Sequence, residues 1–168
     1  ARSLSFSVDY NELFVAGLSN WVYSLSRLPD DAWSSPGFFG ALPTIMGNIR
    51  PPLPMEDWRP PGAKLDVMPP DPPDPEEDAA VVDGLGVDEC GNVYAVEFLS
   101  RALYVISHEG GFDSHQLWAF GDTDYGHGLE WGSGIGGWSE TAIYLPQPYN
   151  GNQVIELELG FASKPRVY

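Results

Sequence analysis

The chain has 168 residues, of which 43% are hydrophobic and 13% aromatic, enough for one ordinary domain with a real core. Its 24 acidic and 8 basic residues give a formal net charge of −16, which argues against nucleic acid or an anionic membrane as partner. A single cysteine, Cys90, excludes an internal disulfide and a multi-cysteine zinc site, and no apolar run reaches the ~20 residues of a membrane span.

In chain order, Leu4–Leu25 reads as three strands: LSFSVD, LFVAGL and WVYSL, separated by turns at Tyr10-Asn11-Glu12 and Ser19-Asn20. The chain then changes character. Residues 29–75 hold 13 of the 16 prolines, so regular elements are not expected to persist there. Trp33–Met46 is apolar enough to pack down as an ordered loop, whereas Asp66–Asp78, with six carboxylates and no aromatics, is expected to be extended and solvated. Two readings of that excursion stay open: a surface loop, and a lid or cation-attracting arm.

Val82–Gly111 carries the clearest pattern, a meander of strands Leu85–Val87, Val93–Phe98 and Ala102–Ile106 joined by the turns 88–92 and 99–101. Gln116–Phe120 is a further short strand, outer or crossover in a unit. The pattern returns in Leu129–Leu159 as LEW, AIYLP and QVIELEL, with a glycine-rich hairpin GSGIGG at 132–137. That run lacks the spacing, the following helix pattern and the Lys-Ser/Thr of a phosphate-binding loop. Phe161–Tyr168 reads as a terminal strand or tail.

Leu4, Leu85 and Leu129 are equivalent points of the three copies, 81 and 44 residues apart. A period of ~40–50 with several strands per unit is the mark of a β-propeller. The expected fold is therefore all-β: about three propeller blades of a probable six, in units of about 1–28, 82–111 and 116–160, with a long Pro-rich acidic loop (about 29–80) inserted between the first and second. Three blades leave open edges, which invite self-association or pairing with another chain. The chain begins inside a strand pattern at Ala1 without Met, so the expectation is the C-terminal part of a larger ring.

Asp83-Gly84-Leu85-Gly86-Val87-Asp88, then Gly91-Asn92-Val93-Tyr94, resembles the PDG…D-x-x-G-N-hydrophobic-Tyr/Trp motif of the gluconolactonase family, which includes senescence marker protein (regucalcin). Leu4–Asp9 resembles the blade start before it, and Gly136-Gly137 followed by Ile143-Tyr144 the segment after it, over about 110 residues in the same order. The resemblance implies a six-bladed propeller and a divalent-metal-dependent hydrolase of lactones or related esters, with calcium as the first choice of metal. It implies Asp83 as a metal ligand. Where the family places an asparagine ligand this chain has Arg2, whose guanidinium has no lone pair to offer and suits a carboxylate instead, Asp83 included.

Inner strands of blades line the central channel, and side chains at one end converge on the axis. Two residues before each reference leucine stand Arg2, Asp83 and His127, the candidate site: Asp83 and His127 as catalytic groups, Asp83 also as metal ligand, Arg2 as substrate-binding group. His127 also reads as a structural histidine of a glycine loop. Asp88 and Asp9 read as turn formers, Glu97 as a further candidate, and His108 and His115 as surface residues. The alternative to a hydrolase acting on a small molecule is a non-catalytic module that binds a protein partner or assembles, possibly completed by another chain.

Overall fold

The computed structural model describes residues 2–17, 20–43, 81–111, 113–120, 126–147 and 153–165. They form antiparallel sheets and no helix, so among the described residues no helix is long and apolar enough to cross a membrane. Sheet one joins β1 (Ser3–Phe6), β2 (Glu12–Ala16), β3 (Trp21–Ser26) and β4 (Gly37–Ala41) in sequence order. Sheet two repeats the arrangement with β5 (Val82–Val87), β6 (Val93–Glu97), β7 (Ala102–Ile106) and β8 (Ser114–Ala119). Sheet three contains β9 (Glu130–Trp131), β10 (Ala142–Gln147) and β11 (Gln153–Glu158).

Each meander forms because β-branched and aromatic residues alternate between two faces, and in sheet two both faces are covered. In β6 all five residues are buried: Val93 and Ala95 face sheet one, while Tyr94 and Val96 face sheet three. The core accordingly lies between sheets. Phe14, Val22, Leu42, Leu85, Val87 and Ile106 fill the space between sheets one and two. Leu103, Phe120, Trp131, Ile143 and Leu145 fill that between two and three. Stacking sheets face to face in this way puts β1, β5 and β9 on the inner side.

Two expectations about strand membership need revision. Gly37–Ala41 lies inside the 29–80 stretch expected as loop, yet it is the outer strand of sheet one, paired with β3 through Trp21↔Ala41 and Tyr23↔Phe38. Its glycines and flanking proline hide a strand that needs only a free edge to pair with. Gln116–Phe120, grouped above with the third unit, contributes to β8 and completes the second, through Leu103↔Trp118 and Val105↔His115. The Asp66–Asp78 stretch lies outside the described residues.

Candidate functional site

Asp83 sits at a fault in the sheet ladder. Val82 pairs with Glu97 and Gly84 with Val96, so Asp83 is an extra residue in β5, and such a bulge re-aims the side chain it carries. Gly84 holds the neighbouring sheet close: a Cβ there would lie 2.6 Å from the backbone of Gly128. That approach, with Gly128 at a φ of 71° that favours glycine, brings the loop before β9 against the start of β5. His127 is fixed in that loop by its backbone N–H, which donates to Pro146 O at 3.0 Å. Its ring meets that of Phe98 edge-on, 4.9 Å between centroids. Arg2 enters from the third direction, its N–H donating to Ala16 O at 2.8 Å just before β1.

The three side chains converge. Asp83 Oδ2 contacts His127 Nδ1, and Asp83 Oδ1 lies 3.7 Å from Arg2 Nη1. The Asp83 side chain is 15% exposed, His127 29% and Arg2 50%, so a largely buried carboxylate is flanked by one half-exposed cation and one partly exposed imidazole. The carboxylate can hold the Nδ1–H tautomer of His127, which leaves Nε2 as the basic nitrogen. A guanidinium beside it can take a substrate oxygen or anion.

The other carboxylates singled out in the sequence are committed to their local turns. Asp88 is fully buried and accepts from Cys90 N, Asn92 N and Asn92 Nδ2, each at 2.9 Å, and from Tyr94 Oη at 3.0 Å. Burial, and then the Asp88 charge, push the Tyr94 hydroxyl well above its usual pKa. Glu97 is 1% exposed and accepts from Val81 N at 2.6 Å, Leu99 N at 3.1 Å and Ser100 N, so it organises the β6–β7 turn. Asp9 accepts from Asn11 Nδ2, Ser7 Oγ and Asn11 N, and these bonds hold its carboxyl down at about 2. His108 and His115 are exposed.

A calcium ion takes six to eight oxygen ligands. Here Asp83 is the sole oxygen donor of the trio, and the facing guanidinium has no lone pair. Among the described residues no group of three or more His, Cys, Asp or Glu side chains is placed to hold a metal ion. These residues alone do not fit the calcium that the sequence resemblance implies.

Sequence reasoning did not single out Lys164. It reaches the inner strands from the far C-terminal segment, with Nζ donating to Ser5 Oγ at 3.0 Å and Phe6 O at 2.5 Å. A lone lysine in a tail with no periodic pattern carried no signal.

No family model matches the sequence. No curated protein matches it either. Among solved structures, a luciferin-regenerating enzyme matches with a TM-score of 0.58 and 13% sequence identity, over 97% of this chain and 46% of that one. That enzyme has a propeller-type, gluconolactonase-like fold. The sheets are β-propeller blades. At this identity the likeness speaks for the fold alone. The chain spans about half the length of the propeller it matches, so the blades account for part of such a ring.

Proposed function

We propose that the chain contributes the channel-lining part of a propeller hydrolase that opens lactones or related esters. The observation that carries this reading is the meeting of Arg2, Asp83 and His127, one from each blade, at one end of the inner strands. His127, oriented by Asp83, takes a proton from a water admitted to its buried Nε2, and the resulting hydroxide equivalent adds to the ester carbonyl. The Arg2 guanidinium steadies the negative oxygen that forms. Collapse breaks the C–O bond, and the imidazolium returns its proton to the departing alkoxide, so a lactone yields one hydroxy acid. A divalent cation, calcium first, would be held by Asp83 and would polarise the carbonyl, but the trio supplies it a single oxygen donor, so it belongs to this reading only with further ligands.

The test is hydrolysis of a panel of lactones and aryl esters by the protein, with added calcium and after chelation. Asp83→Asn and His127→Gln are each expected to lower kcat/KM by about a hundredfold or more while leaving the fold intact. Turnover that survives both substitutions unchanged sinks the assignment.

A second reading, a non-catalytic module completed by another chain, draws on apolar residues on the outermost strands. Leu117 and Trp118 of β8 and Val154 of β11 are 42%, 41% and 54% exposed. It is supported by a dimer or mixed complex in solution without turnover, and opposed by a monomer that hydrolyses the panel.

A further inference from the structure

The glycine-rich hairpin 132–137, which has no part in the Asp83 site, carries Trp138 back over sheet three. Gly132 N donates to Ala142 O at 3.1 Å at its base, and Gly134 N donates to Trp138 O at 2.8 Å within it. The two arms lie so close that a Cβ on Gly132 would collide with the Ser139 carbonyl, so glycine is required there. The indole that emerges meets the Tyr144 ring near its edge, 4.5 Å between centroids at an angle of 67°. Tyr144 is held in turn, its hydroxyl accepting from Ser139 N at 2.9 Å. Trp138 is therefore a positioned ring, yet it is 48% exposed.

Beside these rings lies a cavity of about 550 Å³, lined by Glu130, Trp131, Gly132, Ser133, Trp138 and Tyr144, the size of a small-molecule site. The Trp131 ring belongs to the core between sheets two and three, edge-on to Tyr94, and Tyr144 is 9% exposed with Trp138 against it. The ring surface open to a ligand is thus chiefly that of Trp138. Glu130 and Glu156 are the cross-strand partners of Tyr144 in β9 and β11, and such partners share one face of the sheet. Both are exposed. None of the described lining residues is Lys or Arg. Lys164 feels the Glu130 charge, but its ammonium is bonded to Ser5 Oγ and Phe6 O of the first blade and does not line this cavity. The faces packed between blades are apolar, whereas this one shows Glu130, Glu156 and Glu158 to solvent, so a further blade against it would bury three carboxylates.

The geometry points to a binding site here for a small organic cation of the quaternary-ammonium type, its methyl groups on the Trp138 indole and its charge toward Glu130. An aromatic face attracts a cation through its quadrupole, most strongly when the ring is tryptophan. A quaternary ammonium has no N–H to satisfy, so it leaves water for an aromatic wall more readily than a primary amine does. An anion would meet the negative ring face and the carboxylates together. The site shares no residue with Arg2, Asp83 and His127, and its occupancy does not depend on their chemistry.

Choline is the probe, with 3,3-dimethylbutan-1-ol as its uncharged counterpart of the same shape, each titrated against the full chain at pH 7 by calorimetry and by NMR of the tryptophan indole N–H resonances. The net charge of −16 draws any cation to the surface, so the titrations are run in about 0.15 M salt, where that attraction is largely screened. Choline is expected to saturate one site and shift the Trp138 resonance, and the alcohol to bind about tenfold more weakly. Trp138→Leu, which keeps an apolar side chain and removes the ring, is expected to cut that preference to about threefold or less. Equal binding of the two probes, failure of choline to saturate, or a preference that stays near tenfold in Trp138→Leu overturns the site. The comparison of the two probes on the unsubstituted protein stands even if the variant loosens the hairpin. Because no turnover is read, failure here leaves the hydrolase reading to its own test.

Discussion

Asp83 and Asp88 lie five residues apart in one motif, and the structure gives them opposite duties that stability measurements can separate. In Asp88→Ala four donors lose an ionised acceptor: Cys90 N, Asn92 N, Asn92 Nδ2 and Tyr94 Oη. Hydrogen bonds to a charged group are worth about 1.5–3 kcal/mol, but the effects of neighbours do not add fully and turn amides can turn to water. Tyr94 cannot turn to water so readily, since the residue is 4% exposed. The expected loss is about 3–5 kcal/mol, which for a chain of this size lowers Tm by about 10 °C. Asp88→Asn, with one carbonyl oxygen left, should lose about half as much. Asp83→Ala breaks a contact with a half-exposed arginine and one with a partly exposed histidine, and should cost about 1 kcal/mol or less. Urea unfolding of the three variants beside the parent reads all of this directly. A loss below about 1 kcal/mol in Asp88→Ala, or an equal loss in Asp83→Ala, would refute the division of labour.

Further expectations follow from individual side chains. Gly84→Ala places a methyl group 2.6 Å from the Gly128 backbone, which cannot swing aside. It should cost about 1–3 kcal/mol and part His127 from Asp83, visible as a shift of the His127 ring resonances. Glu97→Gln keeps one acceptor for the Val81, Leu99 and Ser100 amides and should cost about 1–2 kcal/mol in the same unfolding assay. The Asp9 carboxyl should titrate near 2 in the folded protein, against 3.8 ordinarily. Because its folded pKa is depressed, its contribution is complete above the unfolded value and is lost as pH falls from there through about 2, and carbon-detected NMR of Asn11→Ala should show the midpoint rising. Lys164 should release its proton below 10.5. The unfolded chain then holds more protons than the folded one in that window, so stability rises with pH through the folded pKa, as alkaline unfolding curves can test.

Local chemistry determined much of the fold. Ala102–Ile106 is a strand within the bounds that its own alternation sets, and the glycine, asparagine and aspartate turns fall where their backbone preferences put them. Internal repetition also placed Arg2, Asp83 and His127 at one end of three equivalent strands, since equal steps from equivalent leucines land at equal heights. Alternation did not reveal that β5 begins at Val82, because the bulge at Asp83 breaks the period of two just where the side chain is re-aimed. Nor did it reveal β4, whose glycine-rich sequence is a strand because β3 offers it an open edge. The contacts at the two ends of the inner strands are further still from local sequence. Lys164 bonds Ser5 across 159 positions, and Asp83 meets His127 only because glycines at 84 and 128 let two blades approach. A residue's own neighbours decide whether it is strand or turn, whereas its partner on another blade is decided by how whole blades pack, which rests on every buried side chain between them.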